Sequence, residues 1–142
     1  MVAIRDDGVF DAPLEKIWKY IGDNRPGIHK HRSILGQKVL NQQGNTVIQE
    51  MEFLNADGKG THRETWRLTM DPPRGYQVEA IEGPTKGTRF RQVYTPMGNR
   101  TRVEVEGDWR IPGMDDVAVR KMALGFLEEA FNEDNAALKK YK

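Results

Sequence analysis

The last stretch of the chain, from about Met114 to Tyr141, constrains everything before it. It reads MDDVAVRKMALGFLEEAFNEDNAALKKY, with no proline and a single glycine. Val117, Leu124, Phe131 and Leu138 recur every seven residues, and Leu127 falls near the same line. Val119, Met122, Ala123, Phe126 and Ala130 widen the stripe to roughly half the circumference of a helix. Asp115 and Asp116 at the start, with Lys139, Lys140 and Lys142 at the end, suit the two poles of the helix dipole. About 28 residues rising 1.5 Å each make roughly 40 Å of helix, long enough to cross a small domain. A stripe that broad has to be covered, and the cover has to come from the residues before it.

Those residues read mainly as strands. Val2–Phe10 begins as one, with a bulge or bend expected at Asp6-Asp7-Gly8. Asp11 is placed to N-cap a helix of about ten residues whose apolar face is Leu14, Ile17, Trp18 and Ile21, ended by Gly22 and Asp23. Asn24-Arg25-Pro26-Gly27 breaks the chain, so Ile28–His31 is at most a short second helix or a turn. Strands follow at Ser33–Asn41, Thr46–Leu54, Thr61–Met70, Tyr76–Glu82, Thr88–Thr95 and a final one reaching Ile111. The turns between them are Gln42–Asn45, Asn55-Ala56-Asp57-Gly58, Asp71–Gly75, Gly83-Pro84 and Pro96–Asn99.

Alternation is strict in the last strands. Phe90, Gln92 and Tyr94 oppose Arg89, Arg91, Val93 and Thr95; Val103, Val105, Gly107, Trp109 and Ile111 oppose Arg102, Glu104, Glu106, Asp108 and Arg110. One face is therefore dry and the other carries charge that can pair across strands. Short turns favour an antiparallel meander, and its dry face needs the terminal helix as a lid. The expected class is α+β in one domain, residues 1–142.

Composition removes several functions. With 22 Lys+Arg against 21 Asp+Glu the net charge is +1, which argues against a nucleic-acid binder. There are no cysteines, so disulfides, thiolate chemistry and cysteine-ligated zinc are excluded. Arg5, Asp6 and Asp7 interrupt any leader-like apolar run, and no stretch reaches the roughly 20 apolar residues of a membrane span. A cytoplasmic protein is the expectation; the sequence sets no oligomeric state.

The segments VFDAPLEKIWKYIGD, PPRGY, EGPTKGTRF and GNRTRVEVEGDW, followed by a long terminal helix, resemble the START/Bet v 1-like (SRPBCC) superfamily. Within it the chain looks most like the polyketide cyclase/dehydrase and lipid-transport branch. The resemblance spans nearly the whole chain and implies a helix-grip fold: a curved seven-stranded sheet wrapped around the C-terminal helix, with a cavity between them. It implies hydrophobic ligands such as lipids, sterols, polyketides or quinones, and it implies no cofactor. Only Gly44 stands at Asn41–Asn45, so the glycine-rich loop of the plant allergen branch is missing.

The residues expected at such a cavity are Trp18, Met51, Phe53, Trp66, Met70, Phe90, Gln92, Tyr94, Trp109, Met122 and Phe126, large and in part adaptable side chains. A core simply filled by them is the competing account. His62 and Glu64, two apart on one strand face, are the acid/base candidates for a cyclisation or dehydration, with Tyr94 or Gln92 as further candidates; a pair at the sheet's rim is the plainer reading. His29 and His31 point apart if helical and are expected as exposed polar residues rather than metal ligands. Arg25, Lys30, Arg32 and Lys38 form a local basic run that either steers an anionic head group or is a solvated face. Gly125, in mid-helix, either admits a close neighbour or is a tolerated weak spot. Three functions follow in order: a carrier of a hydrophobic small molecule, a cyclase/dehydratase-type enzyme, and a partner-binding domain.

Overall fold

The computed structural model describes every residue except Asn24, Pro26, Ala56 and Lys142. The expected turn at Asn24–Gly27 and the tip of Asn55–Gly58 thus lie partly outside the described residues, as does Lys142. The order is β1 (Val2–Phe10), α1 (Leu14–Ile21), β2 (Ile34–Gln43), β3 (Thr46–Leu54), β4 (Thr61–Asp71), β5 (Gly75–Glu82), β6 (Arg89–Met97), β7 (Arg100–Trp109) and α2 (Asp116–Lys140). All seven strands form one antiparallel sheet in the order β1-β7-β6-β5-β4-β3-β2, curved around α2.

Strands β2 to β7 follow one another as the short turns require. The pairing of β1 with β7, from Val2 opposite Trp109 to Phe10 opposite Thr101, closes the other side of the sheet. That ladder runs without interruption through Asp6, Asp7 and Gly8, so the bulge expected there is absent. Gly8 has another use: Phe131 of α2 lies against it. The irregularities sit elsewhere, at Leu35 and Leu40 in β2 and at Ile81 in β5. Curvature also comes from Gly107, where a Cβ would lie 2.1 Å from the Arg89 carbonyl oxygen and 2.5 Å from the Phe90 Cβ. A bare backbone there lets β6 and β7 coil tightly.

Charges pair on the convex face as alternation predicts. Arg91 meets Glu106 at 2.7 Å, Arg102 meets Asp7 at 2.8 Å, and Arg67 bonds Glu79.

Both helices differ from expectation at their starts. Pro13, with no side-chain hydrogen bond, occupies the N-cap of α1, while Asp11 instead accepts from Arg100 Nε at 3.2 Å. In α2 the cap is Asp115, whose Oδ1 accepts from the Ala118 N–H at 2.8 Å. Val119, Ala123 and Leu138 are the buried positions of α2. Val117, 75% exposed, is off that face although it belongs to the seven-residue repeat. A straight helix drifts by roughly 20° per heptad, so over three heptads the repeat turns away from the sheet. Gly125 is exposed, with nothing within 4 Å of where its Cβ would be, so it serves no close approach. The segment at Ile28–His31 is irregular chain, bent at Ile28 and His29, rather than a helix.

Candidate functional site: the cavity between sheet and helix

Between the concave face of the sheet and α2 lies a cavity of about 770 Å³. Its aromatic and aliphatic wall includes Trp18, Met51, Trp66, Leu68, Met70, Val78, Phe90 and Phe126. The exposed lining residues Gln37, Val39, Gln42 and Asn45 of the β2–β3 hairpin, with Glu128 and Asn132 of α2, mark the side that meets solvent.

Sheet register places the polar groups of this wall. Asp6 is opposite Val105, Val105 opposite Gln92, Gln92 opposite Tyr76, and Tyr76 opposite Met70. These side chains therefore form one row across the concave face, and all of them line the cavity. Tyr76 Oη donates to Gln92 Oε1, and Gln92 Nε2 donates to Tyr94 Oη at 3.5 Å. Burial holds both phenols above their ordinary pKa, so at neutral pH they are donors and acceptors and not bases. Trp18 closes over Tyr94 edge-on at 5.9 Å, its indole N–H held by the Pro73 carbonyl at 2.9 Å.

Eight of the eleven residues expected at a pocket line this one: Trp18, Met51, Trp66, Met70, Phe90, Gln92, Tyr94 and Phe126. Phe53 and Trp109 lie behind the wall. Phe53 packs on Trp66 at 5.0 Å and on Phe126 at 6.0 Å, and Trp109 stacks on Phe90 at 5.2 Å, so the two back up the aromatic end of the cavity. Met122 is 37% exposed and does not line the cavity. It precedes Ala123 by roughly 100° of helical turn, which rotates it off the buried face.

The His62–Glu64 pair exists but stands outside the cavity. His62 Nε2 bonds Glu64 Oε2 at 2.8 Å, and its Nδ1 bonds Asn55 Oδ1 at 2.8 Å. The other Glu64 oxygen accepts from Trp66 Nε1 at 3.1 Å and from the Thr85 hydroxyl. Glu64 is only 4% exposed, and these donors satisfy it. Both residues are thus engaged in joining β4 to the β5–β6 loop and to Asn55, rather than directed at a ligand.

His31 contradicts the expectation of exposure. Its side chain is 7% exposed, with Nδ1 2.9 Å from Glu133 and Nε2 3.3 Å from Asp134. Burial pushes its pKa down, but the bonds to Asp134 and Glu133 more than offset this, raising it from 6.5 to about 9. Asp134 also accepts from Tyr20 Oη at 2.8 Å, Glu133 from the Arg32 N–H at 2.9 Å, and Glu129 from Ser33 Oγ at 2.7 Å. One acidic edge of α2 thereby anchors residues 31–33. His29 bonds the Asp23 carbonyl at 2.9 Å and packs on Tyr20. Among the described residues no group of three or more His, Cys, Asp or Glu is placed to hold a metal ion. Sequence reasoning missed Asp6, Tyr76 and this acidic edge. The inward position of Asp6 was legible in strand alternation, two residues from Ile4, and was obscured by the expected bulge.

Seven antiparallel strands gripping a C-terminal helix, with a cavity between, define a helix-grip protein. The chain has the START/Bet v 1-like fold. No protein-family model and no curated protein matches the sequence. Among solved structures it is similar to TTHA0849 from Thermus thermophilus, with a TM-score of 0.75 and 15% identity over 98% of this chain and 95% of that one. It is similar to the di-domain ARO/CYC StfQ of the steffimycin biosynthetic pathway, with a TM-score of 0.76 and 13% identity over 99% of this chain and 50% of that one. The Zhui aromatase/cyclase from Streptomyces sp. R1128 gives a TM-score of 0.68 and 14% identity over 96% of this chain and 90% of that one. At such identities the likeness is one of fold. No helix among the described residues is long and apolar enough to cross a membrane.

Proposed function

We propose that this protein binds or carries a hydrophobic small molecule of the lipid, polyketide, sterol or quinone kind between the sheet and α2. One observation carries the reading: a cavity of about 770 Å³ with an aromatic and aliphatic wall, crossed by the Asp6–Gln92–Tyr76 row and rimmed by polar residues on its solvent side. Small-molecule sites commonly have roughly 300–1,000 Å³ and an apolar wall with polar groups that orient the ligand. Titration with Nile red, an uncharged apolar probe, and native mass spectrometry of the purified protein test it. Saturable binding of one probe per chain, or a retained lipid-like mass, is the expected result. Protein that is ligand-free in the spectrometer and binds no probe overturns the reading.

The enzyme alternative, of the cyclase/dehydratase type, is favoured by Tyr94 alone among the acid/base candidates. It lines the cavity, and its phenol stays protonated, which suits donation to a ligand carbonyl oxygen. On this reading Tyr94→Phe abolishes conversion of a poly-β-ketone while Glu64→Gln leaves it. Equal turnover in Tyr94→Phe and the parent chain would end the assignment.

A further inference from the structure

The chain carries 22 Lys and Arg, yet among the described residues none of them lines the cavity. Four carboxylates border it: Asp6, Asp7, Glu128 and Asp134. Asp7 belongs to the convex face and is paired with Arg102 at 2.8 Å. Asp134 is engaged by His31 and by the Tyr20 hydroxyl. Glu128 is exposed at the solvent side. Asp6 remains. Strand alternation turns it inward between Ile4 and Gly8, and its partner across the ladder is the buried Val105. Its Oδ1 accepts the N–H of its neighbour Asp7 at 2.9 Å, and no cation lies within ion-pair distance among the described residues. A carboxylate offers about four acceptor positions, so protein groups take up only a small part of this one's capacity.

Resting on the carrier reading above, we propose that the cavity selects a ligand whose polar end is a hydrogen-bond donor, above all a protonated amine, held by Asp6. The same cavity rejects a carboxylate-ended lipid of equal length. Along the row from Asp6, Gln92 and the Tyr76 hydroxyl add neutral donors and acceptors but no positive charge. The lining histidines do not change the sign. His31 is neutralised by Glu133 and Asp134, and His29 is turned to the Asp23 carbonyl. The basic run that was a candidate to steer an anionic head group is spent or remote. Arg25 pairs with Asp23 at 2.6 Å and Arg32 with Glu129 at 3.2 Å, while Lys30 and Lys38 are exposed and line nothing in the cavity. A bound carboxylate would lose its water and gain no cation; a bound ammonium would meet the half-buried Asp6 carboxylate.

Displacement of Nile red from the full chain at neutral pH by dodecylamine, dodecanol and dodecanoate tests this. Dodecylamine is expected to displace the probe at a concentration at least about tenfold below that of dodecanoate, with dodecanol between, as one half-buried charge pair gained against one charge repelled would give. Asp6→Asn keeps the shape and the bond to the Asp7 N–H, and is expected to bring the two within about threefold. Glu106→Gln, on the convex face and outside the cavity lining, is expected to leave the ratio as it was. Dodecanoate displacing as well as dodecylamine, or a ratio unmoved by Asp6→Asn, overturns the proposal while the carrier reading stands. Failure of the probe and all three amphiphiles to bind overturns both.

Discussion

Phe131 of α2 occupies the space that any side chain at position 8 of β1 would take: a Cβ on Gly8 would lie 2.8 Å from two of its ring carbons. The same ring packs on Phe10 at 4.6 Å between centroids. This is where the helix is seated on the closing strand, and it sets how far α2 stands off the rest of the sheet. Phe10 and Phe131 both line the cavity, so this seat is part of its wall.

Replacing Gly8 with valine should therefore push α2 outward. The expected loss is roughly 1–3 kcal/mol, the usual cost of overpacking, read as a lower urea midpoint. Adding Phe131→Ala should make the double variant more stable than the two single losses sum to, because the ring that clashes is gone. Strict additivity would mean the two positions do not meet.

The His31 anchor makes stability depend on pH in a defined window. Its folded pKa is about 9 against an ordinary 6.5. The folded form thus holds its proton more tightly, and stability falls as the unfolded chain releases that proton first. The contribution is complete below about 6.5 and is lost as pH rises through about 9. The urea midpoint should decline across that range in the parent chain and change much less in His31→Gln, which should already be less stable at about pH 6. Equal slopes in both proteins would remove His31 as the cause.

Glu64 should matter to stability and not to binding. Its carboxylate is buried and takes bonds from His62, Trp66 and Thr85. Truncation to alanine leaves those donors unmatched, and a loss of roughly 1–3 kcal/mol is expected, as for buried hydrogen-bonding groups left without a partner. Nile red affinity measured well below the melting temperature should stay within about twofold of the parent. A selective loss of binding with unchanged stability would put Glu64 back at the site.

Filling the cavity should separate a binding protein from a core with spare room. Leu68 lines the cavity and is only partly buried. Leu68→Trp should occupy part of the void, lower probe affinity at least about tenfold, and leave the urea midpoint level or higher, since added apolar contact meets empty space rather than packed atoms. Unchanged affinity would place the probe elsewhere.

Much of the architecture is legible in the order of residues because its signals are local. Alternation along Arg100–Trp109 and Thr61–Met70 assigns a dry and a charged face from chain geometry alone, and Asp115 before an apolar stripe announces a helix. Thr46–Leu54 has the same bounds in the structure as in its pattern. The wall residues of the cavity followed from the same parity, as Met51, Trp66, Phe90 and Tyr94 illustrate. What parity leaves open is distance across the fold. Phe53 and Trp109 have the right parity and sit behind the wall, because other rings stand between them and the void. His62 and Glu64 also face inward, yet are taken up by Asn55, Trp66 and Thr85 from separate segments. His31 reads as a surface histidine until α2, about a hundred positions later, brings Glu133 and Asp134 to both ring nitrogens. Which residues face inward is thus written along the chain. Which of them meet the cavity, and which meet each other, was left to long-range packing, because that depends on where a straight helix crosses a curved sheet.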